Sequence, residues 1–176
     1  HLVRTGLRLT LPALSPQYTT YPRPYRSAKP KDFSTPMLND LDTHRRRLQA
    51  GSGNARDTLE RCIAVAQSPA CAHVFSRTMF DEARAHVAQP GIEQRPLAGL
   101  SVSVKDLFDL RGQPTPAGSV VLADAPAAQD DCPAVARLRA AGASVVGRTH
   151  MVEFAFSGVG TNPHYGTPVA FDARTG

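Results

Sequence analysis

The sequence holds 176 residues, 41% of them hydrophobic, with a net charge of +5. No apolar run approaches the roughly 18–20 residues that cross a bilayer, so no membrane segment is expected. The charge excess sits in residues 1–36, where six basic side chains face one acidic one. From 37 onward 14 basic residues balance 14 acidic ones, so the body has no excess for phosphate neutralisation and no direct nucleic-acid partner is expected.

Residues 1–36 hold six of the 15 prolines and three of the four tyrosines, with no lasting periodicity. The segment lacks an apolar h-region and a small-residue cleavage site. It reads as a basic, Pro-rich, disordered extension, or as upstream sequence read through before a start at Met37; its Arg-rich, acid-poor character is only faintly that of a transit peptide. The length suits one domain with a sizeable core or a piece of a larger one. Three cysteines, Cys62, Cys71 and Cys132, form no CxxC pair. An odd count points to free, buried thiols in a reducing cytoplasm rather than a disulfide framework.

From Leu38, the spacing of Leu38, Leu41 and Leu48 predicts a helix closed by Gly51-Ser-Gly53. Arg56 to Gln67 follows as a clearer helix. Leu59, Cys62, Ile63 and Ala66 form its apolar stripe, with Arg56–Glu60 and Asp57–Arg61 spaced to pair. Ser68-Pro69 stops it, a short strand covers His73 to Phe75, and a helix runs from about Met79 to Val87. Leu100 to Val104 alternates apolar residues with serine and reads as a strand. Gly112 to Pro116 and Ala123 to Gln129 are loops. Asp130 or Asp131 is placed to cap a helix with Pro133 in its first turn. That helix buries Val135, Leu138 and Ala141, exposes Arg137 and Arg139, and ends at Gly142 in the left-handed region. Ser144 to Gly147 is a second strand, which completes a βαβ-like unit with parallel neighbours. After Thr149 a short helix is expected to place Met151, Phe154 and Ala155 on one side, before a Gly-, Asn- and Pro-rich loop. The fold class is α/β, a mixed sheet with parallel strands covered by helices.

No HExxH, Walker loop, GxSxG elbow or strand-linked GxGxxG occurs. His150 and Glu153 lie one turn apart, but two ligands do not make a metal site. Neither a metal nor a cofactor is expected. Lysine occurs three times, at Lys29, Lys31 and Lys105. Lys105 ends an apolar run, Gly99-Leu-Ser-Val-Ser-Val-Lys105. Such a lysine is either a salt-bridged structural cation or an amine made useful. Desolvation pulls an ammonium down from about 10.4 toward roughly 7–8, where it exchanges protons. Asp106 points to the opposite face if the strand continues, so it need not cancel that effect.

Pro96-Leu-Ala-Gly-Leu-Ser-Val-Ser-Val-Lys-Asp-Leu-Phe-Asp109 resembles the strand that carries the catalytic lysine in the amidase signature family. Thr115-Pro-Ala-Gly-Ser119 is similar to that family's T-x-A-G-S loop. The helix and strand that follow are matched over Ala134 to Thr149, and then come Met151-Val-Glu-Phe-Ala155 and Asn162-Pro-His-Tyr-Gly166. The resemblance spans about 37–176. One departure is His150, where many members have asparagine, and it bears on substrate contacts or on nothing.

The resemblance implies the N-terminal part of the amidase signature fold and serine acyl-enzyme chemistry on a small-molecule amide. Two serines, one in a cis peptide, and a lysine would form the relay, with Lys105 in the lysine's role as general base and then acid. A Gly/Ser-rich loop would supply the oxyanion hole. No such loop occurs in the sequence, and neither serine role falls on Ser101, Ser103, Ser119 or Ser157. The expectation is therefore an amidase domain truncated before that loop and inactive alone. Two alternatives stay open: the A subunit of an aspartyl/glutamyl-tRNA amidotransferase, acting as a glutaminase, and a non-catalytic remnant. A homo-oligomer is left open.

Overall fold

The computed structural model describes residues 40–170. The expectations for residues 1–36 and for Leu38 lie outside the described residues. Asp40 accepts hydrogen bonds from the Thr43 backbone N–H at 2.8 Å and from its hydroxyl at 2.9 Å, and so starts helix α1 at Leu41–Gln49. Capping overrides the apolar spacing here. Leu48 is buried, whereas Leu41 lies exposed in the first turn.

Asn54 caps α2, Ala55–Ala66, by accepting from Arg56 and Asp57 N–H. Leu59 and Ile63 fill the core with Ala55, while Cys62, expected on the same stripe, is exposed. Cys71 and Cys132 are half-buried, so none of the three thiols is the fully buried residue expected. The spaced ion pairs within α2 give way to a contact between helices. Arg84 of α3, Phe80–Val87, grips Glu60 through Nε at 2.7 Å and Nη2 at 2.9 Å. A forked guanidinium–carboxylate bond is stronger than a single pair one turn apart.

The sheet has the order β1-β3-β2, with β1 at Phe75–Thr78, β2 at Ser101–Lys105 and β3 at Ser144–Thr149. β3 pairs antiparallel with β1 and parallel with β2, so the sheet is mixed, as expected. The first strand falls later than His73 to Phe75, because His73 adopts φ 60°, which no strand accommodates. β3 runs two residues past Gly147 and is buried almost throughout, being the central strand.

Along β2 the register moves from Val102 opposite Val145 to Ser103 opposite Gly147. Val146 is the extra residue of this bulge, and the two adjacent valines serve different cores. Val146 packs with Leu59, Ile63 and Val87 under α2 and α3. Val145 packs with Val104, Leu110 and Val135 under α4. Helices therefore pack against both faces of β3.

Helix α4, Pro133–Ala140, has Pro133 in its first turn, but its N-cap is Cys132 and no side chain caps it. Asp131 is drawn away. It accepts from Arg111 N–H at 2.8 Å and pairs with Arg139 at 2.9 Å, which also half-buries that arginine. Gly142 ends the helix at φ 91°, as the sequence predicts, and a Cβ there would lie 2.6 Å from Arg95 Cβ. The expected helix after Thr149 is only a 3-10 turn at Glu153–Ala155. Phe154 and Ala155 have φ of 52° and 57°, which breaks the helix and leaves both exposed, while Met151 is buried. Among the described residues, no helix is long and apolar enough to cross a membrane.

Candidate functional site

β2 and β3 are parallel, so their carboxyl ends lie side by side, with Lys105 opposite Thr149. Ligands of parallel sheets bind beyond the carboxyl ends of strands. The loops that follow β2 and β3 at this edge contain three of the motifs that carry the sequence resemblance, Thr115–Ser119, Met151–Ala155 and Asn162–Gly166.

Lys105 closes β2 and its side chain is exposed. From the sequence, a lysine at the end of a buried strand was expected. β2 instead forms an edge of the described sheet, and its odd positions Ser101, Ser103 and Lys105 share one face that the described residues leave partly or fully open. The desolvation expected to activate the amine is not supplied by residues 40–170. A shallow cavity of about 120 Å³ lies beside Lys105, between Phe108 and the Ala134–Leu138 face of α4.

Asp106, the next residue, is the reverse case. It is 1% exposed and every polar atom it carries is engaged. Its carboxylate accepts from Arg148 Nε at 2.7 Å, from Gly118 N–H at 3.0 Å and from Ser76 Oγ at 3.1 Å. Its backbone N–H donates to Thr149 O at 3.0 Å, and its carbonyl accepts from Ala117 N–H at 3.1 Å and Arg148 Nη2 at 3.2 Å. Arg148 Nη2 also donates to Phe108 O at 3.0 Å. The strand does not continue through Asp106, which lies in the turn after β2, yet its carboxylate is buried in this centre while the Lys105 side chain stays exposed.

The remaining motifs lock onto this centre. Gly118 sits at φ 69° so close to the neighbouring loop that a Cβ would meet Met151 O at 2.7 Å. Asn162 Nδ2 bridges that contact, donating to Gly118 O at 2.7 Å and Met151 O at 2.9 Å. Phe154 N–H donates to Ala117 O at 2.9 Å. Ser119, fully buried, donates its hydroxyl to Glu153 Oε1 at 2.7 Å and accepts from Val121 N–H at 3.1 Å. His164 Nε2 reaches the same Glu153 oxygen at 3.1 Å. The Ser119 hydrogen bond, followed by His164, holds the Glu153 carboxyl below its ordinary range.

His150 and Glu153, one turn apart in sequence, are not brought together as ligands. His150 stacks on Tyr165 with ring centroids 5.5 Å apart, and burial lowers its imidazole below the ordinary value. Among the described residues, no group of three or more His, Cys, Asp or Glu could hold a metal ion.

The sequence does not single out Arg148, which shares with Lys105 a place near the end of a valine-containing strand but not the scarcity of its residue type. Asn162 and the Ser119–Glu153–His164 cluster join residues 11 to 44 apart, and no local pattern announces them. An apolar groove of about 470 Å³ runs between α2 and the first half of β2, lined by residues such as Val65, Cys62 and Val102. Lys105 does not line it. The Thr115–Ser119, Met151–Ala155 and Asn162–Gly166 motifs lie in the strand-end loops and not in this groove.

Comparison with known proteins gives three kinds of similarity. The family model Amidase matches residues 54–170. The AtzE component of 1-carboxybiuret hydrolase from Pseudomonas sp. (strain ADP) is 35% identical over 126 residues, covering 68% of this chain and 28% of that protein. The A subunit of glutamyl-tRNA(Gln) amidotransferase from Nitratidesulfovibrio vulgaris (strain DP4) is 37% identical over 116 residues, covering 63% of this chain and 24% of that one. A solved structure of a vestigial protein complex, described as revealing the origins of an s-triazine catabolic enzyme, superposes with a TM-score of 0.67. It shares 33% identity over 73% of this chain and 30% of its own. The chain thus spans less than a third of the length of these relatives.

Proposed function

This chain belongs to the amidase family, and from that premise we propose that it is the part of a serine amidohydrolase that carries the general base. The observation behind the proposal is the place of Lys105. It ends a strand whose parallel neighbour ends beside it, and the strand-end loops around it are hydrogen-bonded to one another through the motif residues. In this reading the Lys105 amine takes a proton from a bridging serine, which takes one from the nucleophilic serine as it attacks the amide carbonyl. The proton returns to the leaving nitrogen as the acyl-enzyme forms. Serine at its free pKa is a poor nucleophile, so the relay needs such a base. Both serines and the oxyanion hole come from outside these 176 residues. The exposure of Lys105 fits this arrangement, since the serines and the substrate must reach the amine from the open face of β2.

Fluorophosphonate labelling tests the serine chemistry. The full-length protein should label at a serine outside residues 1–176, and the 176-residue segment should not label or hydrolyse simple amides. Label on any serine within the segment would contradict this reading. A second reading, the glutaminase component of an amidotransferase, is favoured by the 37% identity to the A subunit of glutamyl-tRNA(Gln) amidotransferase. Ammonia release from glutamine but not from simple aliphatic or aromatic amides would select it.

A further inference from the structure

We propose that the buried Asp106–Arg148 ion pair is the positioning device for the Lys105 amine. It fixes the ends of β2 and β3 and the Thr115–Ser119 turn as one unit. This inference rests on the reading of Lys105 as the base, and neither Asp106 nor Arg148 is asked to touch substrate.

Both side chains of the pair are 2% exposed. Neither belongs to either apolar cluster. The carboxylate bonds β1 at Ser76 and the turn at Gly118, the guanidinium bonds Phe108 just past β2, and the Asp106 main chain bonds β3 at Thr149 and the turn at Ala117. Four segments that converge on the strand ends therefore share these two residues. Burial of an ion pair is a weak route to stability, because well-packed apolar residues serve as well or better. What the pair does supply is direction. Each hydrogen bond fixes a distance and an angle, whereas apolar packing tolerates sliding. Lys105 precedes Asp106 by one peptide unit, so its main chain is held wherever the Asp106 N–H, carbonyl and carboxylate are held. Besides the Asp106 bonds, the Lys105 main chain is held by the ladder opposite Thr149 and by Phe108 N–H, which donates to its carbonyl at 3.0 Å, and the Asp106–Arg148 pair bonds both of these neighbours. A misplacement of about 1 Å at a catalytic group costs on the order of 10²-fold in rate.

The test uses steady-state kinetics of the full-length protein on an amide that it hydrolyses, with melting temperatures measured alongside. Asp106→Asn should lower kcat by about 100-fold while KM stays within about threefold. Because that variant leaves a buried arginine unpaired and can fail to fold, two milder variants accompany it. Ser76→Ala removes one hydrogen bond to the carboxylate and should lower kcat severalfold with KM unchanged. Arg148→Lys keeps a cation but loses the fork, and should fall between Ser76→Ala and Asp106→Asn. Folded Ser76→Ala and Arg148→Lys proteins with parental kcat, or losses confined to KM, would overturn the proposal. Lys105→Ala, run in parallel, separates the two failures. If it keeps its rate, the base reading is wrong. If it loses its rate while Ser76→Ala and Arg148→Lys keep theirs, only the positioning role is wrong.

Discussion

The two faces of β2 differ in how completely they are finished. Val104 and Asp106 are buried against α4 and the strand-end loops, and Val102 is half-buried beside them. Ser103 and Lys105, one residue away in each case, are exposed. One face builds the frame, with its side chains packed and its charges paired. The other presents a primary amine from that frame. The lesson is that a lysine need not be buried by its own strand to be held in place, because its neighbour can be buried on its behalf. The same division predicts where substitutions act on stability and where they act on rate.

The sharpest break in stability should come from the finished face. Arg148→Met leaves the Asp106 carboxylate buried and unpaired, and loss of one partner of a buried pair costs about 3–5 kcal/mol. Chemical denaturation of the variant should show a loss in that range. A loss below about 1 kcal/mol would mean that the pair is more hydrated than its burial implies. A milder contrast comes from adjacent residues. Val104→Ala should destabilise by about 2 kcal/mol, the order of burying a valine side chain. Ser103→Ala, on the open face, should stay within about 0.5 kcal/mol. Equal losses at both positions would erase the distinction between the faces.

The smallest effect is expected from pH. Desolvation is the leading cause that holds His150 below the ordinary histidine value, with His73 adding to it and Asp106 opposing it. His86 is lowered by desolvation and by Arg139 and Arg95. Below about pH 6.5 the unfolded chain binds protons at these sites that the folded chain does not. Their contribution is therefore complete above that pH and is lost as pH falls through the folded values. Thermal melts should show stability declining from pH 7 toward pH 5.5, with a shallower decline for His150→Asn. An unchanged slope in that variant would mean that His150 plays no part in the decline.

Much of this arrangement was legible in the chain because local chemistry wrote it. Gly142, Pro133 and the alternation from Leu100 to Val104 marked the βαβ unit, and the mixed sheet followed. The errors came where a distant partner won. Glu60 prefers Arg84 on another helix to a partner one turn away. Asp131 leaves the start of α4 for Arg111 and Arg139. Leu41, Cys62 and Phe154 are apolar and exposed, since periodicity records which face a residue occupies, not what covers that face. In the site, Lys105 stood out by its scarcity and its setting. Arg148, also near the end of a valine-containing strand, was hidden by the abundance of arginine. The tie between Asn162 and Gly118 spans 44 residues, and no spacing rule reaches that far.

The most direct measurement is the amidase rate of full-length Lys105→Ala beside its melting temperature. Among the described residues Lys105 is exposed, at the end of a strand at the sheet's edge, and packs in neither core. The rate should therefore fall by at least about 10³-fold, roughly 4 kcal/mol of barrier, with melting nearly unchanged. A rate within about tenfold of the parent, roughly 1.4 kcal/mol, would contradict the role of Lys105 as the base and return it to the structural cations.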